Sequence, residues 1–304
     1  MSGYLFVFFT GEHENGEQVY FAVSKDGMHW EDLNDGKPVL VSKLGELGVR
    51  DPFVVKDEEN NKFYLIATDL RIGAGKGWGA AQYSGSRDLI VWESSDLVSW
   101  SEPWACTVGP KGAGCVWAPE SIYDEERQEF FVFWASMVKL EGDVEAKQRI
   151  YGAYTKNFRT FSEPFIYEER ENHVIDMNIV KDKGWYYRFI KDETTKNVTM
   201  DRVKTLDGDE IQRIASPVLD NLFGVEGPEA YLLPDGRWCL IVDQFGSGQG
   251  YLPLITSNLG EEDFRVADST EYDLGILKKR HGCVLKITKE EYECVKERYN
   301  RRIQ

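Results

Sequence analysis

The chain has 304 residues, 42% of them hydrophobic and 13% aromatic, enough to bury a large core in one or two domains and too apolar to stay disordered. With 52 acidic residues against 36 basic ones the net charge is −16, which repels nucleic-acid phosphates and anionic membranes and leaves a neutral ligand as the natural partner. Apolar runs of membrane-spanning length are absent, Met1 to Phe9 lacks the pattern of a secretory signal, and Cys106, Cys115, Cys239, Cys283 and Cys294 show no CxxC spacing, so a cytoplasmic chain with reduced thiols is expected.

Strand-length apolar or alternating runs follow one another from the start: YLFVFF (4–9), VYFAVS (19–24), PFVVK (52–56), KFYLIAT (62–68), LIVWES (89–94), EFFVFWAS (129–136) and RIYGAY (149–154). They continue through MNIVK (177–181), WYYRFI (185–190), WCLIVD (238–243) and CVLKIT (283–288), and a helical period is sustained only over Thr288 to Arg302. The fold class is therefore all-β.

Two phrases repeat. One closes a unit, at SKDGMHWEDL (24–33), SSDLVSWSEP (94–103) and TKNFRTFSEP (155–164); the other opens one, at RDPFVVKD (50–57), APESIYDEE (118–126), IDMNIVKDKG (175–184), GPEAYLLPDG (227–236) and RHGCVLKIT (280–288). The openings recur every 52 to 67 residues, the length of one four-stranded blade, so five openings imply a five-bladed β-propeller. The fifth opening has too little chain behind it for a blade, whereas residues 4–33 have strands and no opening. Pairing of the N- and C-terminal strands would complete that blade and close the ring, making residues 1–304 a single domain.

In a propeller the first strand of each blade lines the central channel, so blade openings converge on one mouth. The sequence places Asp51, Glu120, Asp176 and Glu226 there. Each alone reads as a turn or loop residue; gathered in one place beside apolar neighbours, they read as groups tuned for chemistry. Thr68 and Asp69, ending the second strand of the first blade, are placed to bond a sugar hydroxyl, Trp117 to stack on a sugar face and Trp78 to form a rim. Trp78 lies in the glycine-rich GAGKGWG (73–79), which lacks the Lys-Ser/Thr ending of a phosphate loop and shows no following helix.

Arg50-Asp51-Pro52, Trp117-Ala118-Pro119-Glu120, Ile175-Asp176, Glu226-Gly227-Pro228 and Arg280-His281-Gly282 together resemble the ordered signatures of glycoside hydrolase family 43, over essentially the whole chain. The resemblance implies a five-bladed propeller with an inverting mechanism, in which Asp51 matches the base, Glu226 the acid and Asp176 the aspartate that adjusts the acid. It implies substrate contacts at Arg50, Thr68, Asp69, Trp78, Trp117, Glu120 and Arg280. No cofactor is required for the chemistry, and His281 matches a histidine near a structural calcium or water at the propeller axis. The chain departs from many relatives at Glu120, where they have Asp, and at Met177, where they have Pro.

Inverting hydrolysis needs a protonated acid at the leaving oxygen and an ionised base holding water on the opposite face, roughly 6.5 to 9.5 Å away. Asp176 close to Glu226 is expected to keep the acid protonated by disfavouring a second negative charge. The expected activity is exo-acting release of terminal α-L-arabinofuranose from plant-derived arabino-oligosaccharides. β-Xylosidase and β-D-galactofuranosidase activities are the alternatives within the family, and a non-catalytic carbohydrate-binding propeller is the alternative of another class.

Overall fold

In the computed structural model, which describes residues 2–208, 210–261 and 264–300, five four-stranded antiparallel sheets form a ring. Blade 1 runs outward through Val49–Asp57, Lys62–Asp69, Asp88–Ser94 and Trp104–Thr107; blade 2 through Trp117–Asp124, Glu129–Val138, Lys147–Thr155 and Phe165–Glu168. Blade 3 comprises Val174–Asp182, Trp185–Asp192, Asn197–Val203 and Gln212–Ile214; blade 4 comprises Glu226–Leu232, Trp238–Asp243, Tyr251–Thr256 and Arg265–Val266. Blade 5 takes its innermost strand, Arg280–Ile287, from the end of the chain and its outer three, Gly3–Phe9, Tyr20–Ser24 and Trp30–Asp32, from the beginning. The closure expected from the sequence is thus an antiparallel pairing from Gly3 against Ile287 to Phe9 against Arg280.

Both faces of a blade pack against neighbours, which is why second strands such as EFFVFWASMV are apolar almost throughout. Five buried clusters fill the five interfaces: Leu5, Phe21, Leu65 and Trp92 join blades 5 and 1, and Phe189, Met200, Trp238 and Leu240 join blades 3 and 4. The unit-closing phrase is a hydroxyl-capped turn between third and fourth strands. Ser24, Ser94 and Thr155 accept from the backbone N–H three residues on, at Gly27, Leu97 and Phe158.

The final helix, Lys289–Asn300, opens on a capping box in which Thr288 Oγ1 accepts from the Glu291 N–H and Glu291 accepts from the Thr288 N–H. It buries Tyr292 and Val295 over the seam of blades 5 and 1. Arg301 and Arg302, within the helix expected from the sequence, lie outside the described residues. A second helix, Trp78–Ser84, does follow the glycine-rich segment, a correction to the expectation there. Among the described residues no helix is long and apolar enough to cross a membrane.

Candidate active site

Every innermost strand breaks register near its start: the ladder skips between Arg50 and Phe53, Trp117 and Glu120, Ile175 and Met177, and Glu226 and Glu229, and between Phe8 and Phe9 opposite Arg280 to Gly282. In four blades the bulged residue is left-handed, with φ of 50° at Asp51, 49° at Ala118, 49° at Asp176 and 52° at Gly227. A bulge of this kind re-aims one side chain out of the ladder. In the first three blades it re-aims Asp51, Ala118 and Asp176, and Gly227 occupies the fourth because a Cβ there would lie 2.7 Å from His281 Cγ.

The bulged Asp51 and Asp176, with His281, line a pocket of about 410 Å³. Asp51, Asp176 and Glu226 all line it, with Arg50, Trp78, Trp117, Arg280 and His281. His281 stands between two of the carboxylates, its Nδ1 3.6 Å from Asp51 and 3.7 Å from Asp176. Asp176 also accepts from the Gly227 N–H at 3.1 Å, which ties it to the strand that carries Glu226.

Aromatic faces form the walls. Trp78 meets Trp117 edge to face at 6.0 Å, and the Arg50 guanidinium lies between the rings of Phe9 and Trp78, 4.4 and 4.9 Å from their centroids. Arg50 is buried and bonds Glu12 and Glu17 at 2.9 and 3.0 Å; its charge is directed at these carboxylates rather than at its sequence neighbour Asp51.

Three expected sugar contacts lie elsewhere. Thr68 is fully buried; its hydroxyl donates to Asp51 Oδ2 at 2.8 Å and accepts from the Ala118 N–H at 2.9 Å, so it orients the carboxylate. Asp69 is buried under the 45–46 turn, where it accepts from the Glu46 N–H. Glu120 lies two residues past the bulged Ala118, and strand alternation carries it down the axis away from the pocket wall.

There Glu120 joins Asn178 and Glu229, the residues two past the bulges in blades 3 and 4. The Asn178 amide donates to Glu120 at 2.9 Å and to Glu229 at 2.7 Å, and Glu229 accepts from the Val284 N–H. Burial, then the neighbouring Glu229, pushes Glu120 well above the usual carboxylate range, and burial lifts Glu229 to about 8. Burial thus favours the uncharged form of both carboxyls in this layer, which lies outside the residues that line the pocket.

The electrostatics of Glu226 differ from expectation. Burial alone would raise Glu226, but Lys191, donating to Oε2 at 2.8 Å, and Arg280, donating to Oε1 at 3.0 Å, outweigh it and hold the carboxyl below its ordinary value. Asp176 moves the other way: burial lifts it to about 6 against the pull of His281 and Lys191. The two carboxyls are thus shifted in opposite directions, Asp176 toward its protonated form and Glu226 toward its ionised form, the reverse of the order expected from the sequence.

Lys191, Glu193, Phe245, Glu12 and Gln82 also line the pocket, and Asp243 stands behind Arg280, bonding its Nε at 2.5 Å. None carries a sequence motif. Lys191 was traceable only as the last residue before the acidic end of WYYRFIKD, in register with Ile175 beside Asp176. Calcium takes six to eight oxygen ligands. Among the described residues no group of three or more His, Cys, Asp or Glu side chains is placed to hold a metal, so no step here runs through one.

A family-43-related model described as "Probable glycosyl hydrolase domain" matches residues 1–293. An α-L-arabinofuranosidase of Bifidobacterium longum subsp. longum is 31% identical over 262 residues, covering 77% of this chain and 24% of that protein. The chain thus spans about a quarter of the length of this curated relative. Among solved structures, an endo-1,4-β-xylanase of Bacteroides thetaiotaomicron aligns with a TM-score of 0.59 at 13% identity, over 92% of this chain and 93% of that one. A family-43 protein of Bacillus licheniformis aligns at 0.58 and 17% identity, over 94% and 55%. The catalytic domain of a family-62 α-L-arabinofuranosidase of Coprinopsis cinerea aligns at 0.52 and 14%, over 79% and 72%. At these identities the structures share the fold.

Proposed function

Because the chain belongs to the glycosyl hydrolases related to family 43, we propose that it is an inverting exo-glycosidase that releases terminal α-L-arabinofuranose from plant-derived arabino-oligosaccharides. Convergence of Asp51, Asp176 and Glu226, from three blades, on one pocket with aromatic walls is the observation that carries this reading. The pocket's cations already face carboxylates, Arg50 with Glu12 and Glu17, Lys191 with Glu193 and Glu226, Arg280 with Glu226 and Asp243, which favours a neutral sugar. The curated relative's activity supports arabinofuranose over xylose and galactofuranose.

In the proposed displacement, water held by Asp51 attacks the anomeric carbon while the bond from that carbon to the leaving oxygen breaks. The water proton passes to Asp51, and Glu226 gives its proton to the leaving oxygen; both carboxyls then exchange with solvent. Thr68 fixes the Asp51 oxygen that must accept. Asp176 bonds the backbone beside Glu226, and because the two carboxyls repel each other when ionised, a charged Asp176 favours the protonated form of Glu226.

Turnover of 4-nitrophenyl α-L-arabinofuranoside against the β-D-xyloside and β-D-galactofuranoside tests the substrate. Asp51→Ala should lower hydrolysis about 10² to 10⁴-fold whatever the leaving group. Glu226→Ala should be severe for a natural oligosaccharide and mild for the aryl glycoside, whose phenolate departs without protonation. Equal losses on both substrates would contradict the acid assignment, and no turnover of any glycoside by the wild type would leave a carbohydrate-binding propeller.

A further inference from the structure

Lys191 is a buried lysine in the pocket wall that the three-carboxylate mechanism does not use. It comes from the second strand of blade 3, and its ammonium touches two carboxylates at once, Glu226 Oε2 at 2.8 Å and Glu193 Oε2 at 2.7 Å. It also lies 4.4 Å from the centroid of the Phe245 ring. Burial would push this ammonium down; Glu226, Asp176 and Glu193 outweigh burial and keep it charged.

The two cations on Glu226 differ in their freedom. Arg280 holds Glu226 through Nη2 and the fully buried Asp243 through Nε of the same rigid guanidinium plane, so it cannot turn from Glu226 without straining its bond to Asp243. Lys191 has a second carboxylate and an aromatic face already in contact, so withdrawing from Glu226 leaves it neither bare nor unpaired. With a cation on each Glu226 oxygen, the carboxyl is held in its ionised form and turned toward its partners. Withdrawal of one cation would ease protonation of the oxygen it leaves, and Lys191 is the one with the freer side chain.

We propose that Lys191 is a positioning residue for Glu226, clamping it with Arg280 in the empty pocket and passing to Glu193 when a sugar enters, which frees Oε2 to face the leaving oxygen. This rests on Glu226 being the acid. The proton that Oε2 then takes comes from solvent. The charged and titratable groups around Glu226 are Lys191 and Asp176 from blade 3, Glu193 from the loop after it, Asp243 from blade 4, Arg280 and His281 from blade 5 and Asp51 from blade 1. Of the two cations on Glu226, Lys191 is the one whose contact to a second carboxylate, Glu193, is made by a freely rotating ammonium rather than a planar fork.

The test is the pH dependence of kcat/KM on a natural oligosaccharide for wild type, Lys191→Met, Lys191→Arg and Glu193→Gln, with the Glu226 carboxyl titrated directly by carbon NMR in each. In Lys191→Met the Glu226 titration and the alkaline limb of kcat/KM should move up together by about one pH unit, a tenfold change in the protonated fraction at fixed pH. Lys191→Arg should restore the wild-type position. Glu193→Gln removes the place Lys191 moves to, so kcat should fall with the limb moved down. Unchanged Glu226 titration in Lys191→Met, or a change in KM alone with the limb in place, overturns the proposal. If instead Glu226→Ala shows no leaving-group dependence, the acid assignment fails, whereas the NMR titration still reads the clamp.

Discussion

At the scale of single residues, the axial layer beneath the pocket carries a pH signature. Glu229 lies at about 8 in the folded chain because it is buried, well above the ordinary 4.5 of an exposed glutamate. A carboxyl raised on folding contributes most below its unfolded value, and that contribution is lost as pH rises toward the folded one, by about 1.4 kcal/mol per pH unit. Glu229→Gln has no ionisable proton, and its single amide oxygen can accept from the Val284 N–H or from Asn178 but not from both, so it should be less stable at low pH, yet its stability should fall less than wild type's between pH 5 and 8 in urea unfolding. Parallel curves for the two proteins would mean that Glu229 is charged in the folded state. Such residues are invisible in sequence for a plain reason. Asn178 and Glu229 sit within phrases that otherwise read as strand, and what makes them a cluster is the meeting of blades 2, 3 and 4 on one axis. Thr68 is the milder case: its position beside the site was legible, its role in holding Asp51 was not, because the Ala118 N–H that pins it comes from another blade.

At the scale of elements, the left-handed bulge at each strand start turns a repeat in sequence into a ring of functional side chains. Three of the four left-handed bulges are followed by proline, at Pro52, Pro119 and Pro228, where the skipped ladder position needs no N–H. In blade 3 the ladder resumes at once and Met177 pairs with Ile190, which explains why methionine replaces proline there. The opening phrases were therefore readable as blade starts, while the bulge that aims Asp51 and Asp176 depends on pairing with the second strand and was not. Gly227→Ala tests the device. It adds a Cβ 2.7 Å from His281 Cγ at a φ of 52°, a strain of about 1 to 3 kcal/mol. Thermal unfolding should come earlier, and kcat should drop because the peptide shared by Glu226 and the Asp176 bond must shift. An alanine variant with wild-type melting and activity would show that the bulge tolerates a side chain.

At the scale of the whole molecule, a ring closed by its own termini brings Asp51, Asp176 and Glu226, far apart in sequence, into one pocket on a rigid scaffold. Blade number, closure and the three carboxylates could be read from repeats and spacing. The ion pairs that decide which carboxyl is protonated could not, because Lys191 and Arg280 reach Glu226 from two other blades. The central claim is that Asp51 delivers water to the face opposite the leaving group that Glu226 protonates. Proton NMR of the first sugar released from an α-L-arabinofuranoside, recorded before mutarotation, tests it directly. The account predicts β-L-arabinofuranose as the first product; α-L-arabinofuranose appearing first would contradict it.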